Sequence, residues 1–221
     1  MKTTIAIIGA SGSMGSALAR NISRANYRVL LFDKNRTELE SLLQSIKSAM
    51  PKADVEIMDC ARESGWEADI IIPAVWYQSQ AEVAEKIREV AANKIVVSIA
   101  NPLNDTYDGL LTGPSTSAAE ELAKLLPNAK IVKAFNTTFA ADFATPSLDG
   151  KTVDSFIAGD DDEAVQTVSN LVKAVGFNPL VAGKLSVSRT LESMTLLLIG
   201  LSMRYNYNWL AGWKILSNVN A

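Results

Sequence analysis

The chain has 221 residues, a length that allows one or two domains. Hydrophobic residues make up 48% and charged residues 20%, which is typical of a globular protein and excludes a disordered one. The formal net charge of −3 offers no basic field to nucleic acid or anionic lipid, and the single cysteine, Cys60, excludes a disulfide framework within the chain.

The chain contains no histidine, which excludes imidazole metal sites and Ser–His–Asp triads. The apolar run Ile5–Ile8 is too short for the core of a signal peptide, and Leu196–Leu201 falls far short of the ~20 residues that span a bilayer. We therefore expect a cytoplasmic protein with no membrane segment and no metal site. We expect Cys60 to be a small, buried and inert side chain.

Apolar runs of strand type alternate with helical patterns along the first 145 residues. Strands without polar alternation have both faces covered, so this order predicts an α/β protein with a doubly wound, mostly parallel sheet. The predicted strands are Ile5–Ile8, Tyr27–Phe32, Val55–Met58, Ile70–Ile72, Ile95–Val97 and Lys130–Phe135, and the predicted helices begin near Met14, cover Arg36–Met50 and Val83–Ala91, and begin at Ser117.

The regular alternation of strand and helix patterns ends at the turn-rich stretch Thr145–Gly150. We therefore divide the chain into residues 1–145 and 146–221. The second part predicts strands at Val153–Ala158 and Asn178–Ala182, with a helix between them. Residues Ser188–Leu216 are predicted to be mostly helical, as a small helical extension of the fold. The helix is apolar nearly all round near Leu196–Leu201, which is equally compatible with a core and with a dimer interface.

A glycine-rich loop, Gly9–Gly15, follows the first strand and opens the first helix. Glycines permit a sharp turn and a close approach of phosphate to the helix N-terminus, where free amides and the helix dipole favour an anion. Strand, loop, helix and second strand occur in the order of a Rossmann dinucleotide-binding unit. We predict that the loop holds a pyrophosphate through Gly9, Ala10, Ser11, Gly12, Ser13, Met14 and Gly15.

The loop after the second strand carries charges of both signs. Asp33 lies near the spacing of the acid that binds a ribose 2′-hydroxyl, and its carboxylate would repel a 2′-phosphate. Lys34 and Arg36 would instead attract that phosphate. The sequence leaves NAD(H) and NADP(H) both open.

The remaining strand ends carry small, uncharged groups, which suit the fit around a nicotinamide ring better than proton transfer. For Trp76 we expect simple packing. For Asn101 and Asn136, cofactor contact and loop capping are equally compatible with the sequence. The segments at these strand ends are 73–76, 98–103 and 136–139.

Three segments together resemble the coenzyme F420-dependent NADP oxidoreductases. They are the glycine-rich loop Gly9–Gly15, the strand end Lys133–Thr137, and the stretch Gly183–Arg189 with Glu192. The resemblance covers nearly the whole chain and extends more weakly to the oxidoreductase domain of the STEAP metalloreductases. Two features depart from that family, namely Asp33 in place of a 2′-phosphate site and Asn136 in place of a histidine.

The resemblance implies a Rossmann domain over residues 1–145 that binds NADP(H). It also implies a C-terminal part, 146–221, that completes an acceptor pocket and makes a homodimer contact. The residues implied at the cofactor are those of the glycine-rich loop Gly9–Gly15 together with Asp33, Lys34, Arg36, Pro73, Ala74, Val75, Asn101, Pro102, Leu103, Asn136 and Thr137. The residues implied at the acceptor are Thr138, Ala140, Ser188 and Arg189.

The sequence thus favours an enzyme that transfers a hydride between a nicotinamide and a small-molecule acceptor, a deazaflavin or a flavin-like ring. Two cofactors can carry this chemistry when their rings are aligned, so we predict no catalytic side-chain acid or base. The alternatives are an NAD(P)H-dependent flavin or ferric reductase and a non-catalytic NAD(P) sensor. An open cavity beside the nicotinamide would indicate an enzyme, and a cavity plugged by Ser188–Leu216 would indicate a sensor.

Overall fold

The computed structural model describes residues 2–218, and its centre is one eight-stranded sheet. The strands in chain order are β1 (Thr4–Ile8), β2 (Arg28–Phe32), β3 (Asp54–Ile57), β4 (Ile70–Pro73), β5 (Ile95–Ser98), β6 (Lys130–Lys133), β7 (Ser147–Leu148), β8 (Lys151–Thr152), β9 (Asp154–Gly159) and β10 (Asn178–Gly183). β7 and β8 form a separate two-stranded hairpin.

Helices connect the strands and cover both faces of the sheet. They are α1 (Ser13–Ile22), α2 (Arg36–Ala49), α3 (Ala61–Glu67), α4 (Tyr77–Ile87), α5 (Ala118–Leu125), α6 (Asp162–Ala174) and α7 (Ser188–Tyr205). Single 3₁₀ turns occupy Ala140–Phe143 and Leu185–Val187.

The strand order across the large sheet is β10-β9-β6-β5-β4-β1-β2-β3. The strands from β1 to β6 pair in parallel, β9 pairs antiparallel with β6, and β10 pairs parallel with β9. This confirms the predicted doubly wound, mostly parallel sheet. The order reverses between β1 and β4, and open sheets of this kind bind ligands at such a point, beyond the carboxyl ends of the strands.

The core lies on both faces of the sheet because alternate strand residues point to opposite sides. Ile5 and Ile7 of β1 pack with apolar residues of α1, α2 and α6 on one face. Ala6 and Ile8 pack with residues of α3, α4 and α5 on the other. All five residues of β1 are buried, as the uninterrupted apolar run predicted.

The structure corrects four expectations. The sixth strand ends at Lys133 and not at Phe135, because Phe135 has a left-handed φ of 60°. The final helix ends at Tyr205, where Asn206 is also left-handed, so the prediction of helix up to Leu216 is wrong beyond that point. Cys60 is only partly buried, and its sulfur accepts the Glu63 amide at the start of α3, a helix that the sequence had not predicted. Trp76 is largely exposed and not packed.

The segment after α7 returns to the sheet at the start of β9. Trp213 pairs with Asp154 of β9 in an isolated antiparallel bridge. The buried carboxylate of Asp154 also accepts hydrogen bonds from the Lys214 ammonium group and the Ile215 amide, each at 2.7 Å. Among residues 2–218, no helix is long and apolar enough to cross a bilayer.

Candidate functional site

The carboxyl ends of four neighbouring strands bring most of the predicted site residues to one edge of the sheet. The glycine-rich loop follows β1, and residues 74–76, 99–103 and 134–138 follow β4, β5 and β6. Neighbouring strands lie ~4.8 Å apart, so this edge from β1 to β6 is roughly 14 Å long. An extended dinucleotide can lie along an edge of this length.

The glycine-rich loop turns tightly against the ends of β2 and β4. The amides of Gly9 and Ala10 donate to the carbonyl of Phe32 at 2.8 and 3.1 Å. Gly9 has φ +89°, and a Cβ on it would lie 2.6 Å from the carbonyl oxygen of Ala74. A Cβ on Gly15 would overlap the Gly9 carbonyl oxygen and lie 2.9 Å from the Cα of Ala10. Side chains at these two positions would therefore destroy the turn.

The loop leaves the N-terminus of α1 without a side-chain cap. Gly12 is the N-cap residue and provides no side-chain hydrogen bond, and the first main-chain bond of the helix runs from Ser16 to Gly12 at 2.8 Å. The amides of Ser13, Met14 and Gly15 have no intrahelical acceptor at this position. They carry the positive end of the helix dipole, so the loop fits the diphosphate of a dinucleotide.

Both carboxylate oxygens of Asp33 accept main-chain amides, one from the glycine-rich loop and one from its own segment after β2. One oxygen accepts the amide of Ser11 at 3.0 Å and the other accepts the amide of Asn35 at 3.1 Å. The acid predicted to bind the ribose thus lies directly beside the predicted diphosphate cradle. Its negative charge is thereby fixed beside the N-terminal end of α1.

The two cations after Asp33 are paired with acids. Lys34 forms an ion pair with Glu82 of α4 at 2.9 Å, and Arg36 forms pairs with Asp59 at 3.0 Å and with Glu40 at 3.1 Å. Hydrogen bonds from Lys86 and Lys34 lower the pKa of Glu82 to about 2. All three pairs are exposed, where such pairs contribute little and a ligand can replace one partner.

The residues that follow β4 form the wall opposite the loop. The amide of Ala74 donates to the carbonyl of Ile8 at 2.7 Å, which fixes Pro73, Ala74 and Val75 beside Gly9. Trp76 begins α4 with 68% of its surface exposed. Its ring is therefore available to a ligand at this edge.

Asn101 and Asn136 contact each other at the ends of β5 and β6. The side-chain amide of Asn136 donates to the side-chain oxygen of Asn101 at 3.0 Å, and that of Asn101 donates to the main-chain oxygen of Asn136 at 3.1 Å. Asn136 also donates to the Leu191 carbonyl at 3.0 Å, and Thr195 donates to the Asn136 carbonyl at 2.7 Å. We call Asn101, Asn136 and Thr195 the amide cluster; it joins the sheet to α7.

The segment after β6 runs from buried to partly exposed residues. Asn136, Thr137 and Thr138 are buried, whereas Phe139 and Ala140 are half-buried. The 3₁₀ turn that begins at Ala140 packs against α1, so this segment lies next to the cradle. The side-chain oxygens of Asn136 and Thr137 have no hydrogen-bond partner among the described residues.

The other predicted residues lie at two further places. Pro102 and Leu103 begin the loop between β5 and α5, in which Leu103 bridges to Leu110. Ser188 is buried at the start of α7, and Arg189 forms an ion pair with Glu120 of α5, with its Nε donating at 2.8 Å. Arg189 thus clamps α7 to α5.

Sequence reasoning did not identify a fully buried ion pair that lies beside the predicted site residues. Lys133 and Glu192 form an ion pair of 2.6 Å in which both side chains have no solvent exposure. Burial lowers the pKa of Lys133, while the Glu192 carboxylate opposes that shift. A lysine inside the apolar strand end 131–135 was the signal that could have indicated the pair, because charges in such runs need a buried partner.

Tyr77, in the first turn of α4, is also committed to a partner. Its hydroxyl donates to the carboxylate of Glu121 at 2.6 Å. Burial, and then this hydrogen bond, raise the pKa of Tyr77 to about 12. No cluster of three potential metal ligands occurs within residues 2–218.

Comparisons with known proteins support the same assignment. Residues 4–102 match the model of a family described as NADP oxidoreductase, coenzyme F420-dependent. The F420-dependent NADP reductase of Methanocaldococcus jannaschii is 29% identical over 210 residues, which are 91% of this chain and 93% of that relative. Metalloreductase STEAP3 of Rattus norvegicus is 30% identical over 198 residues, which cover 88% of this chain but 37% of that relative.

The fold agrees with a solved structure over nearly its whole length. A protein from an Arthrobacter species, provisionally assigned as an F420-dependent NADP reductase, superposes with a TM-score of 0.82 at 23% identity. The match covers 96% of this chain and 99% of that one. The family model, the full-length relatives and the fold agree in indicating an NAD(P)-dependent oxidoreductase that is similar to the coenzyme F420-dependent NADP oxidoreductases.

Proposed function

We propose that this protein transfers a hydride between a nicotinamide nucleotide and a flat deazaflavin, coenzyme F420 or a close analogue. The carrying observation is the cradle at Gly9–Gly15, where two Cβ atoms are forbidden and the first amides of α1 lack a cap. The names of the full-length relatives support the deazaflavin as the acceptor.

In this proposal the nucleotide lies along the sheet edge from β1 to β6. The amides of Ser13 and Met14 bind its diphosphate, and the residues after β2 meet the adenosine ribose. Pro73–Val75 and Asn101–Leu103 flank it, and Asn136–Ala140 borders the nicotinamide. Asn136 and Thr137 follow the carboxyl end of β6, at the same edge of the sheet as the cradle, which supports this assignment.

The relatives' names indicate NADP(H), and we propose that this chain accepts NAD(H) as well. The carboxylate of Asp33 is fixed beside the loop by Ser11 and Asn35, where it would disfavour a 2′-phosphate. Lys34 and Arg36 would bind that phosphate only by exchanging their present acidic partners. NADPH binding is therefore opposed by the charge of Asp33 and by the existing ion pairs of Lys34 and Arg36, whereas NADH binding forgoes any contact of these cations with a 2′-phosphate.

When bound, a dihydronicotinamide would supply a hydride, two electrons with one proton, and reduction of the acceptor would need one further proton from solvent. The chain's own task is to hold two planar rings face to face and to exclude water from between them. Phe139 and Trp209 support this role on the acceptor side. Their rings meet edge to face at 5.5 Å, and Trp209 is half-exposed.

We propose that no side chain acts as acid or base in the chemical step. Lys133 and Glu192 are buried against each other, and the Tyr77 proton is committed to Glu121. These contacts support a reaction in which the hydride moves directly between the rings. A rate of hydride transfer with a solvent isotope effect near one is the expected result.

The C-terminal part, residues 146–221, is proposed to complete the acceptor pocket and to carry a homodimer contact. Its contribution to the pocket would come through Ser188 and Arg189, near the contact of α7 with α5. Thr138 and Ala140, which precede this part of the chain, would line the pocket from the segment after β6. An outward groove of about 800 Å³ runs along α7 beside Tyr107 and exposes Leu197 and Met203. An apolar surface of this kind is typical of a protein interface, and a second copy is the proposed partner.

The direct experiment follows the absorbance of NADPH and NADH with coenzyme F420, FMN, FAD and a ferric chelate as acceptors. Oxidation that is fastest with F420 is the expected result. Faster oxidation with FMN, FAD or the chelate would instead indicate a flavin or ferric reductase. Nucleotide binding without oxidation by any acceptor would indicate a sensor and would contradict the proposal.

A further inference from the structure

The buried ion pair Lys133–Glu192 joins four elements of the fold. Lys133 ends β6, and its ammonium group donates to the Ala100 carbonyl after β5 as well as to Glu192 on α7. The Glu192 carboxylate accepts the amides of Ala118 at 3.0 Å and of Ala119 at 3.4 Å, which are the first amides of α5. Every oxygen of this carboxylate is thus used inside the protein.

Each partner of the pair lies close in sequence to a member of the amide cluster. Asn136 follows Lys133 by three residues, Thr195 follows Glu192 by one helical turn, and Asn101 directly follows Ala100. The ion pair and the amide cluster are therefore two successive layers of one junction. The second layer depends on the first for the spacing between the sheet and α7.

Between the two layers the chain makes a strained turn. Phe135 is fully buried and has a φ of 60°, in the left-handed region that a bulky residue rarely adopts. Its carbonyl accepts the Thr138 hydroxyl at 2.8 Å. Such a conformation persists only when its surroundings hold it from both sides, here the ion pair before it and the amide cluster after it.

The turn at Phe135 sets the direction in which residues 136–140 leave the sheet. After Phe135 the chain leaves the sheet, and the half-buried residues Phe139 and Ala140 reach the place where the 3₁₀ turn packs against α1. That place borders the cradle. A small shift at the turn would move this segment relative to the bound nucleotide.

We infer that Lys133 and Glu192 are positioning residues that hold the Phe135 turn and so place the Phe139–Ala140 segment against the reacting rings. The inference rests on the proposed hydride transfer, but it makes a separate structural claim. Burying two charges costs free energy. Hydrogen bonds to the Ala100 carbonyl and to the amides of Ala118 and Ala119 offset that cost only when both side chains keep the positions that they have in this structure. The pair therefore specifies one geometry of the turn.

The test removes both charges together, because removing one would leave the other buried without a partner. The variant is K133M/E192Q, in which glutamine keeps an oxygen for the α5 amides. The matched control is K130M/D161N, which removes the half-buried 2.9 Å pair at the other end of β6. Three quantities are measured. NADPH affinity is measured by fluorescence titration, and the rate of hydride transfer is measured in single turnovers with NADPH and with NADPH deuterated at the transferring carbon. Hydrogen exchange is measured for the backbone amides of residues 134–140.

For K133M/E192Q we expect affinity within about threefold of wild type, hydride transfer at least tenfold slower with a larger isotope effect, and amide exchange at least tenfold faster in 134–140. The control is expected to match wild type in all three. Unchanged amide exchange in 134–140 would overturn the inference whether or not the protein is active. Absence of hydride transfer in wild type would instead overturn the proposed function, with the exchange result still deciding the structural claim.

If the double variant does not fold, E192Q alone provides the second variant. It keeps the size of the side chain and an acceptor for α5, and Lys133 can lose its proton there because burial already favours its neutral form. We expect at least a threefold loss of the transfer rate with amide exchange at least threefold faster in 134–140. A folded E192Q with the rate and exchange of wild type would overturn the inference.

Discussion

Replacing Gly15 by alanine tests the cradle at its tightest point. Ordinary contact of a Cβ begins at about 3.4 Å, and a Cβ on Gly15 would overlap the Gly9 carbonyl oxygen, so that carbonyl must move by more than an ångström. The Gly9 amide is anchored to Phe32, which leaves the loop little freedom to relax. Overpacking of this kind costs about 1–3 kcal/mol of stability, partly offset by the ~1 kcal/mol that alanine gains in a helix.

The loss in nucleotide binding is expected to be larger than the loss in stability. A displaced loop misaligns the amides of Ser13 and Met14, and a hydrogen bond to a charged group contributes about 1.5–3 kcal/mol. The NADPH dissociation constant of G15A should therefore rise about tenfold to a hundredfold. The matched control is G200A in α7, where a Cβ meets nothing within 4 Å and which should bind like wild type. Fluorescence titration measures both, and a G15A protein that is folded and binds NADPH as tightly as wild type would refute this account of the cradle.

Four further predictions follow from individual side chains. Asp33→Ser should shift the ratio of kcat/KM toward NADPH over NADH by about tenfold or more, because it removes a like charge from the 2′-phosphate position; an unchanged ratio would show that Asp33 does not sense the ribose. Asp154→Ala should lower the free energy of unfolding in urea by about 2–3 kcal/mol, because it frees Lys214, Asn178 and the Ile215 amide; a loss below about 0.5 kcal/mol would contradict the anchoring of the C-terminal segment. Burial raises the pKa of Asp142 to about 7, so the contribution of this carboxyl group to stability is present below its unfolded pKa of about 4 and is lost as pH rises through 7. The free energy of unfolding of Asp142→Asn should therefore increase relative to that of wild type by up to about 4 kcal/mol between pH 4 and 8. A constant difference across that range would be the contrary result. Leu197→Glu should convert a dimer into a monomer in sedimentation experiments, and a wild type that is already monomeric would exclude the α7 interface.

The regular part of the fold could be predicted because local and global signals agree there. The run Ile5–Ile8 has no polar alternation, and a strand covered on both faces is the structure that such a run permits. Gly9 and Gly15 stand where a side chain is sterically forbidden, so the loop was visible from residue type alone. Asp33 was likewise selected by its spacing from that loop, and it does lie beside the loop; its contact with a ribose stays a prediction.

The remainder depends on contacts between residues distant in sequence. Phe135 belongs to an apolar run and favours a strand locally, but it adopts a left-handed φ, and the next residue, Asn136, donates to the Leu191 carbonyl of α7. The pattern after Tyr205 resembles a helix, yet Asp154 binds Lys214 and Ile215 in an irregular segment. Neither the partner of Lys133 nor that of Arg189 can be read from the chain, because each lies more than 50 residues away.

The central claim is that the amides after β1 hold the diphosphate of a nicotinamide nucleotide and leave one ring face toward a flat acceptor. A crystal structure of the protein with bound NADP⁺ measures this directly. We predict diphosphate oxygens at about 3 Å from the amides of Ser13 and Met14, with one nicotinamide face open beside Phe139. An empty loop, a loop blocked by the protein's own side chains, or a nucleotide bound elsewhere would contradict it.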